Sequence, residues 1–315
     1  MQPLLHDAEL VYLYDGTLEG LFTAIFQAFK SKQYPVNIVT ENNLQLSLLR
    51  SYLPIYAEPE KAERVRAAII NKFGAAVYGD ITCVFLSDNE SKGGVILRYV
   101  QHLFDKGFRG RSHLAHPSVN EFETILNEVT FEAHRIKMFA RFAQTEGGVF
   151  FSQIDPKASV VPLVMEHFAA RFNIQPFMIY DSRHQVAGVF DTNSWWLIDT
   201  AEQRLNVPDT TYAEDEFQAL WQTFFDTIAI EERRNPTCQR NFMPKRFWGN
   251  MCEQIPPELR KRQRATATPT EAAKRLAGEQ LPMPTPVLPA SVMLISVLPA
   301  SAMSTPVLPA SVLPD

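Results

Sequence analysis

The chain has 315 residues, a net charge of −5 with histidines neutral, 46% hydrophobic residues and 11% aromatic residues. That apolar content supports a packed core and excludes disorder for most of the length, and the acidic balance excludes a protein coated in cations. Cys83, Cys238 and Cys252 are too few and too scattered for a disulfide framework, and no CxxC pair is present, so no metal or cofactor is expected. The start MQPLLHDAEL lacks a basic region followed by an apolar one, and the longest apolar run falls far short of a membrane span, so a soluble, cytoplasmic protein is expected.

Leu10 to Tyr14 reads as a strand ending in the turn Asp15-Gly16-Thr17, whose Asp15 or Thr17 can cap the helix that follows. In that helix Leu18, Leu21, Phe22, Ile25, Phe26 and Phe29 fall at i, i+3, i+4, i+7, i+8 and i+11, a single apolar stripe. Helices are predicted over Glu60 to Phe73 and Gly94 to Leu103, with a short apolar run of undecided type at Ile81 to Leu86. Gly107 to Pro117 reads as a loop; its His113-x-x-His116 spacing could pair two metal ligands, but no third ligand stands nearby in sequence.

The longest predicted helix runs from Asn120 to Gln144, with Phe122, Ile125, Leu126, Val129, Ala133, Ile136 and Ala140 inward. Its acids lie early and its cations (His134, Arg135, Lys137, Arg141) late, which suits the helix dipole; His134, Lys137 and Arg141 also form a stripe that could meet phosphates. A strand at Val149 to Ile154 leads to a helix over Val160 to Phe172, where His167 and Arg171 share a face. Phe177 to Tyr180 and Val186 to Phe190 read as a hairpin about Asp181-Ser182-Arg183-His184, and Trp195 to Ile198 as a third strand. Asp181 and Asp191 invite a metal-dependent nuclease reading, but aspartates beside turns are more often turn formers. Tyr212 to Ala229 repeats the spacing of the first helix through Phe217, Leu220, Trp221, Phe224, Phe225 and Ile228, and both stripes are expected to pack on one sheet.

That helix leads into Arg233 to Trp248, RRNPTCQRNFMPKRFW, in which Arg233, Arg234, Arg240, Lys245 and Arg246 stand among Phe242, Phe247 and Trp248 with no acid. Cations neutralise phosphates and aromatic faces stack on bases, so the composition suits a nucleic-acid contact; a solvated surface segment anchored by its aromatics would look similar. Between Arg233 and Arg275 eleven Lys/Arg face three acids, a local +8 that leaves −13 on the rest of the chain. An acidic body with one basic quarter can hold a polyanion locally and repel it elsewhere. Residues 255–280 read as a basic linker. Residues 281–315 repeat VLPAS from Val287, Val297 and Val307, a proline density that predicts a disordered tail without a role in activity. The expected architecture is α/β (α+β): amphipathic helices on a small mixed sheet within residues 1–254, divisible near 118 into two subdomains.

Five segments in order resemble a bacterial family described only as probable DNA metabolism proteins: Tyr14 to Phe26, Glu132 to Phe142, Val160 to Phe172, Ile179 to His184 and Ala229 to Trp248. The resemblance covers about residues 10–254. It implies association with a radical-SAM protein that modifies or repairs DNA, and in other members a fusion to a uracil-DNA-glycosylase-like domain. After Trp248 this chain has only the basic stretch and the repeat, and it lacks a radical-SAM cysteine motif, so such chemistry would belong to a separate partner. The expectation is an accessory protein that binds DNA, single-stranded or damaged DNA included, through Arg135, Lys137, Arg141, Arg233, Arg234, Arg240, Lys245, Arg246, Phe247 and Trp248. Two alternatives stand beside it. One is a nuclease or base-processing enzyme using His134, His167, Asp181, Arg183 and His184; the other is a protein–protein adaptor docking the radical-SAM partner.

Overall fold

Thr17 starts the first helix. Its hydroxyl accepts from the Gly20 N–H at 2.9 Å, and Asp15 in turn accepts from the Thr17 N–H, so both candidate caps are used, one supporting the other. These details come from a computed structural model that describes residues 9–41, 49–201 and 212–254. The residue 255–280 linker and the 281–315 repeat lie outside the described residues. The chain divides into two units, one running to Leu126 and the other starting at Asn127.

In the first unit β1 (Glu9–Tyr14) is flanked on both sides by parallel strands, β2 (Asn37–Thr40) and β3 (Arg50–Pro54), in the order β2-β1-β3. Helix α1 (Leu18–Ser31) makes the crossover from β1 to β2 and buries Leu18, Leu21, Phe22 and Ile25, as its stripe predicts. Three more helices follow: α2 (Pro59–Phe73), α3 (Ala75–Phe85) and α4 (Lys92–Lys106). The undecided run at Ile81 to Leu86 is therefore the end of a helix, whose Val77, Ile81 and Val84 are fully buried. α4 meets β2 closely through Gly93 and Gly94, the latter donating its N–H to the Asn37 side chain at 3.2 Å.

The longest helix, α5 (Pro117–Phe139), starts earlier and ends earlier than its periodicity predicts. Pro117 opens it, since a proline in the first turn sacrifices an N–H that has no helical partner anyway. Past its end, β4 (Ala143–Gln144) is the edge of a five-stranded sheet with β5 (Phe150–Ile154), β6 (Phe177–Asp181), β7 (Val186–Phe190) and β8 (Trp195–Asp199), in chain order. Only β5 and β6 are parallel, joined by the crossover helix α6 (Val161–Arg171); the other pairs are antiparallel. α6 lies against β7 at Gly188, where any Cβ would fall 2.3 Å from Met165 Sδ. Phe142 closes one end of this core, its ring 4.9 Å from that of Phe172 and 5.1 Å from that of Phe168.

Among the described residues two further helices follow in the second unit, α7 (Tyr212–Ile228) and α8 (Pro236–Phe242). The expectation that the stripes of α1 and α7 share one sheet does not hold: the helices belong to different units. Nor does the α7 stripe face a core. Phe217, Leu220, Trp221, Phe224 and Ile228 are exposed, and Phe225 alone of the stripe is half-buried.

Candidate nucleic-acid interface

The basic segment is built in two parts. Asn235 caps α8 by accepting from the Cys238 N–H at 3.0 Å, and Pro236 occupies the first turn, so a short helix forms over a mostly polar stretch. Arg233, Arg234 and Arg240 are exposed here, and Arg240 folds back to donate to the Pro236 carbonyl at 3.0 Å. The Phe242 ring, 77% exposed, is the most open aromatic of the segment.

From Pro244 onward the segment is held down. A 3-10 turn over Lys245–Asn250 places Arg246 against Glu132 of α5. Both guanidinium NH2 groups donate to the buried Glu132 carboxylate, one at 2.7 Å, and the backbone N–H of Lys157 donates to it at 2.8 Å. Phe247 is 6% exposed, its ring 5.2 Å from that of Phe139 and 4.4 Å beneath the Arg246 guanidinium. Trp248 is half-buried, donates its indole N–H to the Met243 carbonyl at 3.0 Å, and has Lys245 Nζ 5.9 Å from its ring centre. Arg141, just past the end of α5, makes a second clamp by donating to Glu253 at 2.7 and 3.1 Å. Burial pushes the Glu253 carboxyl up, but the hydrogen bonds and charge of Arg141 outweigh it and hold the group below its usual value.

These contacts redistribute the residues singled out from sequence. Phe247 is core and offers no face to a base; the open ring is Phe242. Arg141 and Arg246 are committed to carboxylates, while Arg233, Arg234, Arg240 and Lys245 are exposed. Arg135 and Lys137 are half-buried on α5. The charges of Lys137 and Arg171 both reach His167, so α5 and α6 together form a second cationic group. Burial first, and then those two cations, hold the His167 imidazole below its usual value. Glu132 escaped sequence reading although it carried a signal: an acid three residues after Val129, on the edge of an otherwise apolar stripe.

Of the catalytic candidates, Asp181 is bonded within its own turn. Its fully buried carboxylate accepts from the backbone N–H groups of Arg183 and His184, at 3.0 and 3.1 Å, and lies 2.6 Å from His184 Nδ1. It thus organises the β6–β7 turn, in which Gln185 takes φ 55°. His134 and Arg183 are exposed. In the first unit a third histidine joins the pair His113 and His116: the His102 ring of α4 lies 4.1 Å from that of His116 and 5.5 Å from that of His113. Among the described residues, no group of three or more His, Cys, Asp or Glu side chains is arranged to hold a metal ion. No described helix is long and apolar enough to cross a membrane.

The profile of a family described as a domain of unknown function, DUF4130, matches residues 90–253. No curated protein matches the chain. Among solved structures it is similar to a DHH domain described as a member of a family of ribosomal proteins. The identity is 14% and the TM-score 0.21, over 57% of this chain and 56% of that one, so the match spans little more than half of that protein. It is also similar to a pGpG-specific phosphodiesterase from Vibrio cholerae, with 13% identity and a TM-score of 0.20, over 58% of this chain and 81% of that one.

Proposed function

This chain belongs to the DUF4130 family, and from that premise we propose that its second unit binds DNA, single-stranded or distorted DNA included, as an accessory to a separate DNA-modifying enzyme such as a radical-SAM protein or a glycosylase. One arrangement carries this reading. Arg233, Arg234, Arg240 and Lys245 are exposed on a segment whose far end is locked to α5 by the Glu132–Arg246 and Arg141–Glu253 pairs. Cations on an anchored support lose less freedom on meeting phosphates than cations on a loose tail. The exposed Phe242 ring among them supplies a stacking face.

Fluorescence anisotropy with labelled single-stranded and duplex oligonucleotides tests the proposal. On duplex DNA each phosphate contact contributes about −0.9 to the slope of log K against log salt, so replacing the four exposed cations with Ala should make the slope shallower by about 3 to 4. An unchanged slope, or no salt-sensitive binding by the unaltered chain, would reject it.

A second expected outcome concerns pH. A phosphate held between α5 and α6 would offset the charges of Lys137 and Arg171 and raise the His167 pKa from its depressed value. The bound state then has the higher pKa, binding takes up a proton, and affinity rises as pH falls. Between about pH 7.5 and about pH 6 the gain should be a few-fold. Titrations of the unaltered chain and of His167→Gln at the two pH values check this; an equal pH response in both would exclude His167 from the interface.

A further inference from the structure

α7 is an amphipathic helix attached by its polar side. Glu214, Gln218 and Gln222, four residues apart, share one side, and Glu214 and Gln222 tie that side to the rest of the unit. Glu214 accepts from the Gln144 N–H of edge strand β4 at 3.1 Å, Gln218 donates to Glu214 at 3.0 Å, and Gln222 donates to the Cys252 carbonyl at 2.8 Å. The neighbouring face carries Phe217, Leu220, Trp221, Phe224 and Ile228, from 44% exposed at Trp221 to 68% at Phe217, and Ile230 continues it just beyond the helix. Monomeric proteins rarely leave so many large apolar side chains contiguous and open to water.

We infer that two copies of this chain pair through this face of α7. Three observations select a second copy as the occupant. The open fractions of these side chains amount to roughly 650 Å², close to the ~800 Å² each partner contributes to a standard-size interface. The stripe is also self-complementary. An antiparallel pairing with its two-fold axis between Gln222 and Thr223 sets Trp221 beside Phe224 of the second copy and Phe217 beside Ile228 of the second copy, the same contact made twice. Finally, Tyr212 to Ile230 contains no Lys or Arg, so this helix has nothing to attract an anionic membrane or a nucleic acid. Pairing through α7 does not depend on DNA binding, and salt separates the two: screening leaves apolar association intact or strengthens it, and weakens phosphate contacts.

Sedimentation equilibrium of the full chain without nucleic acid tests the inference. From about 1 to about 100 µM the average mass should climb from the 35.8 kDa of one chain towards twice that value, at high salt as at low. Trp221→Glu with Phe224→Glu should weaken pairing by roughly 30-fold or more, as expected for central anchor residues, with circular dichroism unchanged because both rings are exposed in the single chain. Trp221→Leu with Phe224→Leu, which keeps the face apolar, should retain it. A chain that stays at 35.8 kDa throughout would overturn the inference, as would a Glu variant that self-associates as tightly as the unaltered chain.

Discussion

Replacing Glu132 with Ala is expected to destabilise the second unit by about 3 kcal/mol, since removing one member of a buried ion pair leaves the other uncompensated. The Glu132 side chain is 4% exposed and the Arg246 side chain 25%, so water cannot fully replace the lost carboxylate. The Lys157 N–H loses its acceptor too. The cost comes mainly from the orphaned partners, so Glu132→Leu combined with Arg246→Met should recover much of it. Urea titrations of the single and double variants measure the cycle, and a loss below about 1 kcal/mol for Glu132→Ala would mean the pair contributes no more than a surface one. The variant should also weaken DNA binding without removing any exposed cation, because the Lys245–Asn250 turn would lose its attachment to α5. Hydrogen exchange at the amides of residues 245–250 would report that release directly.

Gly93→Ala is expected to cost the first unit about 2 to 3 kcal/mol, against the ordinary preference of a helix for Ala over Gly by up to about 1 kcal/mol. A Cβ at Gly93 would lie 2.4 Å from the Ile38 carbonyl oxygen and 2.9 Å from Ile38 Cβ. The nearest of these is backbone of β2, which is paired with β1 through Tyr12 and Ile38, so it cannot retreat without disturbing the ladder. Gly249→Ala is the control: a Cβ there meets nothing within 4 Å and should change stability by less than about 0.5 kcal/mol. Thermal or urea unfolding of both variants decides the matter, and a neutral Gly93→Ala would show that α4 can lift from β2 at little cost.

Much of the local structure was legible because it depends on neighbours in sequence. The stripes of α1 and α5 bury most of the residues their spacing predicts, with Phe26, Phe29 and Ala140 only half-buried, and Asp181 forms the turn between β6 and β7 with its own adjacent N–H groups. β2 and β3 were not read: each is short, and each is a strand only because β1 lies between them to accept pairing. Of the interface, the basic character of residues 233–248 was plain, but the division into exposed and clamped cations was not. Arg246 is spent on a carboxylate 114 positions away and Arg141 on one 112 positions away, and no periodicity links residues so separated.

Sequence by itself determined that α1, α2, α4, α5, α6 and α7 become helices, where charge accumulates, and that one basic segment follows an amphipathic helix, since all three follow from composition and from spacing within a few turns. Only tertiary structure decided which face of α7 meets the fold. Periodicity shows that its apolar residues share a side; it cannot show that Glu214 and Gln222 find partners in Gln144 and Cys252 and so leave most of the apolar side open. Likewise composition placed Phe247 with the other aromatics of its segment, and only its contact with Phe139, fixed by the Glu132–Arg246 pair, made it core. Local pattern sets what a segment can become; long-range pairing sets which of its faces remains for a partner.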